Sequence, residues 1–324
     1  MPCQLKKMLH RSKNRGSSMG FTLSVNTNPF VNRFAEPEDL LAVLAGEIGI
    51  GHVQLVHEFI NPSWGSSTIR RLTDRMAKSA SSRGVKITSL MTGPYGRLNH
   101  FGHPDADVRA YYVKWFKTMA DIAGDLGAHG IGTQFAILTY RDQDEESRRN
   151  DIMKIALECW RDVASHAKKR GLSYLFWEPM SVAREIGHTI SACHELQSWI
   201  DTSNLEIPLK PMIDIDHGDV TSSNPRDVDP YAWAKEFASQ SPIIHIKQSS
   251  MNKGGHWPFT AQYNVDGRIE PTLLLDTVRS GGGHDNELCL ELAFREREPT
   301  DRSVISAIRE SVAFWSPFTK TGFN

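Results

Sequence analysis

Long apolar runs are absent from this 324-residue chain, and no stretch approaches the roughly 20 residues that cross a bilayer. Cysteine is scarce. Cys3, Cys159, Cys193 and Cys289 never stand in CxxC spacing, which excludes a zinc ribbon or a dithiol motif. They read as reduced, mostly buried thiols of a cytoplasmic protein. No charge sign dominates, with 37 basic against 38 acidic residues. Lys6, Lys7, Arg11, Lys13 and Arg15 crowd into the first 18 residues, so the rest of the chain is mildly acidic and poorly suited to gripping nucleic acid. A GxGxxG turn is missing after the first apolar run, where NTNPFVNRF stands instead, and this counts against a dinucleotide-binding open sheet. The opening MPCQLKKMLHRSKNRGSS lacks the apolar segment of a secretory signal. Residues 1–18 read as a disordered extension and 19–324 as one catalytic domain, with no internal repeat and no low-complexity linker.

Eight short apolar runs recur along that domain: FTLSVNT (21–27), HVQLVHEF (52–59), VKITSLMT (85–92), GIGTQFAI (130–137), LSYLFWEP (172–179), KPMIDIDH (210–217), PIIHIKQS (242–249) and ELCLELAF (287–294). Each has strand length rather than helix length. Helical patterns separate them. Ile152, Ala156, Cys159, Val163 and Ala167 share one helix face, closed by Lys168, Lys169, Arg170 and a terminating Gly171. Similar patterns run over 38–48, 69–83, 104–126 and 300–315. Alternation of this kind predicts a parallel sheet, and eight units predict a closed (β/α)8 TIM barrel.

In such a barrel the C-terminal strand ends surround one pocket. Four late strands end on Glu178, Asp214, His245 and Glu291. Taken singly, a strand-end Glu reads as a surface or salt-bridged group, and His245 as a satisfied core histidine. Together, three carboxylates and an imidazole at one mouth repel each other without a counter-charge and suit one divalent metal ion, Mn²⁺, Mg²⁺, Co²⁺ or Zn²⁺. Asp216 rivals Asp214, since residues two apart on a strand face the same way.

With Glu178 in FWEP, the D-x-x-H step from Asp214 to His217, His245 in IIHIK and Glu291 in LELAF, the chain resembles the xylose isomerase-like family of sugar and sugar-phosphate isomerases and epimerases, over nearly all of residues 20–317. The resemblance implies that Glu178, Asp214, His245 and Glu291 hold one metal and that Glu178 and Glu291 also move protons. It favours Asp214 over Asp216, because Asp214 stands three before His217. The FWEPMSVAREIGHT segment looks most like the erythrulose-phosphate 3-epimerase branch of erythritol catabolism. Epimerases of free ketohexoses in this family often carry an acid three positions after the strand-seven His and an Arg six after it. Gln248 and Met251 stand there, which puts a free hexulose in doubt, and nearby Lys247, Lys253 and His256 fit an anionic substrate better.

The expected partner is therefore a small sugar phosphate, not nucleic acid or membrane, with a homo-oligomer left open. Arg184 and His188 are expected at the mouth, Arg184 on the phosphate. His217, Lys247 and Trp257 complete the expected substrate contacts, and His57 and Glu58 are pocket-lining candidates of lower weight. Aldose–ketose isomerisation and inosose dehydration use the same enediolate chemistry and compete with epimerisation. A three-zinc phosphodiesterase needs a D-x-H pair between His245 and Glu291 that is absent, and a non-catalytic sugar-binding barrel leaves the four strand-end residues unexplained.

Overall fold

A computed structural model describes residues 20–250 and 253–323. The expectation for residues 1–18, and the positions of Cys3 and Met251, lie outside the described residues. The strands are β1 (Thr22–Asn26), β2 (His52–Val56), β3 (Lys86–Met91), β4 (Gly130–Thr133), β5 (Tyr174–Trp177), β6 (Leu209–Pro211), β7 (Ile213–Asp214), β8 (Ile243–Ile246), β9 (Gln248–Ser250), β10 (Lys253–Trp257) and β11 (Glu287–Leu290).

One parallel sheet runs in the order β6-β5-β4-β3-β2-β1-β11-β8-β7. Its two ends, β6 and β7, are consecutive pieces of one chain segment separated only by Met212. The first pairs with β5 and the second with β8, so the ring closes as an eight-membered barrel. The sixth expected run is thus one barrel position built from two short strands. Pro211, which has no N–H to give, sits at the break, and Met212 N–H donates instead to the Trp177 carbonyl at 2.8 Å. β9 and β10 form a separate antiparallel hairpin after β8.

Helices return the chain between strands because their apolar stripes have a sheet to cover. Glu146–Lys169 buries Ile152, Ala156, Trp160, Val163 and Ala167, and Trp160 donates its indole N–H to the Phe135 carbonyl at 2.9 Å. Each large apolar side chain so buried contributes roughly 1.5–3 kcal/mol. That helix stops at Gly171, whose φ of 83° is left-handed. The pattern read over 38–48 is a composite, α-helical over Pro37–Ala42 and π-helical over Val43–Ile48. No described helix is long and apolar enough to cross a membrane. Past the last helix, Val304–Trp315, the chain runs under the barrel. Lys320 N–H donates to the Phe21 carbonyl at 2.9 Å, Leu23 N–H to the Lys320 carbonyl at 2.8 Å, and Gly51 N–H to the Thr321 carbonyl at 2.7 Å. This strap ties down the N-terminal ends of the strands, opposite the mouth.

Candidate active site

The polar residues inside the barrel start with Gln54. Its side chain points inward from β2 and is fully buried. Its Oε1 accepts from Asn26 Nδ2 at 2.7 Å, and its Nε2 donates to Ser89 Oγ at 3.1 Å. The same Oε1 lies 2.8 Å from His245 Nε2. An oxygen can only accept there, so Nε2 carries the proton and Nδ1 is turned toward the mouth.

Nδ1 faces a cluster. It stands 3.5 Å from Glu178 Oε1 and 3.3 Å from Glu291 Oε2. Ligand atoms of Glu178, Asp214, His245 and Glu291 all lie within 4.8 Å of one another, and all four residues are buried. Each glutamate has one oxygen held from behind. Glu178 Oε2 accepts from Gln134 Nε2 at 3.3 Å, and Glu291 Oε1 from Asn28 Nδ2 at 3.4 Å. Among the described residues the other oxygens, Glu178 Oε1 and Glu291 Oε2, have no hydrogen-bond partner, nor has His245 Nδ1. Buried polar atoms are rarely left so, and these three converge on one point. The donor set and its unsatisfied atoms fit a divalent cation.

One cation is already there. Lys247, expected at the mouth, is 1% exposed, with its ammonium paired to Asp214 Oδ2 and 3.8 Å from Glu291 Oε2. It also lies 3.2 Å from His217 Nε2 and 3.1 Å from the ring nitrogens of His256. A single ammonium leaves three carboxylates under-neutralised. The titration of the groups reflects this. Burial disfavours a charged His245 ring, but the Glu291 and Glu178 carboxylates outweigh it and raise its pKa well above the usual histidine value. Burial likewise opposes ionisation of Glu291, but His245 and His256 hold its pKa well below the usual range. For His217 burial prevails and lowers the pKa.

Asp216 is spent elsewhere. Its Oδ1 pairs with the Arg268 guanidinium and accepts from Ser249 Oγ at 3.1 Å, and its Oδ2 accepts from Gly255 N–H at 3.3 Å. That leaves Asp214 facing the cluster.

Glu178, Glu291, His217 and His256 open onto a cavity of about 480 Å³ that also touches Asn28, Arg33, Gln134 and Arg97. His256 reaches it from β10. Arg184, His188 and Trp257 are not part of its lining. Arg184 pairs with Glu185 at 3.0 Å. His188 lines a different groove, beside Arg149, Lys154 and Trp199. Trp257 stacks on Tyr263 with ring centroids 5.2 Å apart. His57 and Glu58 stand behind the lining and brace it: Gly93 N–H donates to His57 Nδ1 at 3.2 Å and Tyr95 N–H to Glu58 Oε1 at 2.9 Å. The supporting residues Gln54, Gln134 and Asn28 were not singled out from sequence. Their signal was a polar side chain in or just after an apolar strand.

Comparison with known proteins agrees with this architecture. Residues 42–294 match the family described as xylose isomerase-like TIM barrel. A D-erythrulose 1-phosphate 3-epimerase from Brucella abortus (strain 2308) is 61% identical over 304 residues, 94% of this chain and 98% of that protein. Among solved structures, a candidate xylose isomerase from Rhodospirillum rubrum ATCC 11170 superposes with a TM-score of 0.82 at 25% identity, covering 92% of this chain and 99% of the other. D-psicose 3-epimerase from Clostridium cellulolyticum H10 shares the fold, with a TM-score of 0.64 at 15% identity over 90% and 92% of the two chains. The chain belongs to the xylose isomerase-like TIM barrel family.

Proposed function

We propose that this protein is a metal-dependent sugar-phosphate 3-epimerase of D-erythrulose 1-phosphate, an isomerase serving erythritol catabolism in the cytoplasm, with residues 19–324 as its single catalytic domain. The observation that carries the reading is the pair of glutamates, Glu178 and Glu291, each with one oxygen fixed from behind and one oxygen, without a hydrogen-bond partner among the described residues, aimed at the cavity. The 61% identity to the Brucella abortus enzyme supports the choice of substrate.

The proton at C3 is acidic only because the adjacent C2 carbonyl can take up its electrons as an enediolate. Glu178, Asp214, His245 and Glu291 would hold the divalent cation, which supplies positive charge beside that developing oxyanion. The ion would also offset the carboxylates that the Lys247 ammonium leaves under-neutralised.

One glutamate accepts the C3 proton as a carboxylate. The other, protonated, returns a proton to the opposite face of the planar intermediate, and the configuration inverts. Glu178 follows β5 and Glu291 follows β11, with the β6–β7 position and β8 between them in the ring, so they reach the cavity from different sides. His217, on the cavity wall, is placed to hold a substrate hydroxyl.

Incubating the metal-loaded enzyme with D-erythrulose 1-phosphate in D₂O tests this. The expected result is deuterium at C3 and accumulation of the second epimer by NMR. Loss of water, or no exchange at C3, refutes it.

A further inference from the structure

Two guanidiniums line the cavity, Arg33 and Arg97, and they are not equivalent. Arg33 is 14% exposed and committed to Asp301, at 2.5 Å from Nη2 and 2.8 Å from Nε, while its Nη1 donates to the Pro29 carbonyl at 2.8 Å. Its charge is matched one for one. Arg97 is 49% exposed, and its partner Glu185 is 2% exposed. Nε of Arg97 donates to Glu185 Oε2 at 3.0 Å, and Nη2 donates to the same oxygen. Among the described residues, none accepts from Nη1.

The other oxygen of Glu185 is taken by Arg184 at 3.0 Å. One buried carboxylate therefore holds two guanidiniums, and the trio carries a net positive charge. Only Arg97 turns that charge into the cavity. Its loop is fixed for the purpose: His57 and Glu58 hold Gly93 and Tyr95, and Asn99 Nδ2 donates to the Ile137 carbonyl at 2.7 Å. The close fit at Gly93, where an added Cβ would lie 2.1 Å from Glu58 Oε2, keeps the loop against its brace.

We propose that Arg97, positioned by the buried Glu185, binds the phosphate group of the substrate. This rests on the sugar-phosphate reading above and moves the anion contact from Arg184, where the sequence put it, to a residue 88 positions from its partner. A planar fork anchored on one side presents its remaining N–H groups to phosphate oxygens at little further entropic cost. Glu185 acts through Arg97 and is a positioning residue.

The test compares metal-loaded wild type, Arg97→Met, Arg97→Lys, Arg184→Met and Glu185→Gln. For each, kcat and KM are measured with D-erythrulose 1-phosphate and with free D-erythrulose, and inorganic phosphate is titrated as a competitive inhibitor. In Arg97→Met the preference for the phosphorylated sugar should fall about 10- to 100-fold, the size of one lost hydrogen bond to a charged group. The fall should lie in KM, with the inhibition constant for phosphate rising in parallel. Arg97→Lys and Glu185→Gln should lose part of the preference, again through KM. Arg184→Met should lose less than Arg97→Met. Retention of the preference in Arg97→Met, or a larger loss in Arg184→Met, overturns the assignment. If Arg97→Met does not fold, wild-type behaviour of Arg97→Lys overturns it instead. A wild-type enzyme with no preference for the phosphorylated sugar brings down the sugar-phosphate reading itself, and this assignment with it.

Discussion

Lowering the pH from 7 to 5 should cost the folded protein about 2 kcal/mol through one side chain, His100. The ring is 3% exposed, in a short turn just after the loop that carries Arg97. It packs between Tyr112, at 4.6 Å, and Phe116, at 5.3 Å, and stacks on Trp115 at 6.4 Å. Burial among these rings, helped by the nearby His57, drives its pKa from 6.5 down to about 3. The folded value is depressed, so below pH 6.5 the unfolded chain takes up a proton that the folded chain refuses. The stability is fully present above 6.5 and is lost as pH falls toward 3. At pH 5 the unfolded imidazole is about 1.5 pH units below its pKa, and at about 1.4 kcal/mol per unit the loss is about 2 kcal/mol.

Urea unfolding of wild type and His100→Asn at both pH values isolates this effect, because acid effects on the carboxylate cluster are common to the two proteins. Asparagine is chosen because His100 has a φ of 46°, which asparagine tolerates. Wild type should lose about 2 kcal/mol more than the variant between pH 7 and pH 5. Equal losses, or a His100 ring resonance that titrates near pH 6 in the folded protein, would refute the reasoning.

Glu178→Gln and Glu291→Gln, checked for metal content, should each nearly abolish inversion yet still exchange the C3 proton of one epimer with D₂O. The two variants should choose opposite epimers; exchange of the same epimer by both points to a single base. A chelator should abolish activity, and Mn²⁺, Co²⁺ or Mg²⁺ should restore it. Asp214→Asn should lower bound metal by elemental analysis, whereas Asp216→Asn should keep the metal and lower the melting temperature, because it frees Arg268. Gly218→Ala would set a Cβ 1.3 Å from the Asp227 carbonyl oxygen. It should cost about 3 kcal/mol in denaturant unfolding and shift the loop after His217.

The barrel and the four strand-end residues were legible because both follow from local pattern. Short apolar runs alternate with amphipathic ones, and a polar residue at the end of a buried strand stands out against its neighbours. What the sequence could not carry is pairing at a distance. Asp214 and Asp216 are equivalent by strand period, and partners distant in sequence separate them, among them Arg268, 52 residues on from Asp216. Lys247 looked like a mouth residue, but the carboxylates of the site draw it inward. Arg97 stands in GPYGRLNH, a loop with no periodicity to read, and its meaning comes from Glu185. The break at Met212 was hidden for a similar reason: an apolar run looks continuous whichever neighbour each half bonds to.

The strap beneath the barrel brings the described ends of the chain together. A Cβ on Gly20 would lie 2.2 Å from Lys320 Nζ, at the end of the ring opposite the cavity. Enzyme anchored to a solid support through this corner would therefore present its mouth outward, open to diffusing substrate. The same proximity means that a few added residues would suffice to join Gly20 to the strap. The barrel could then be circularly permuted, with its new termini cut into a loop on its outer wall.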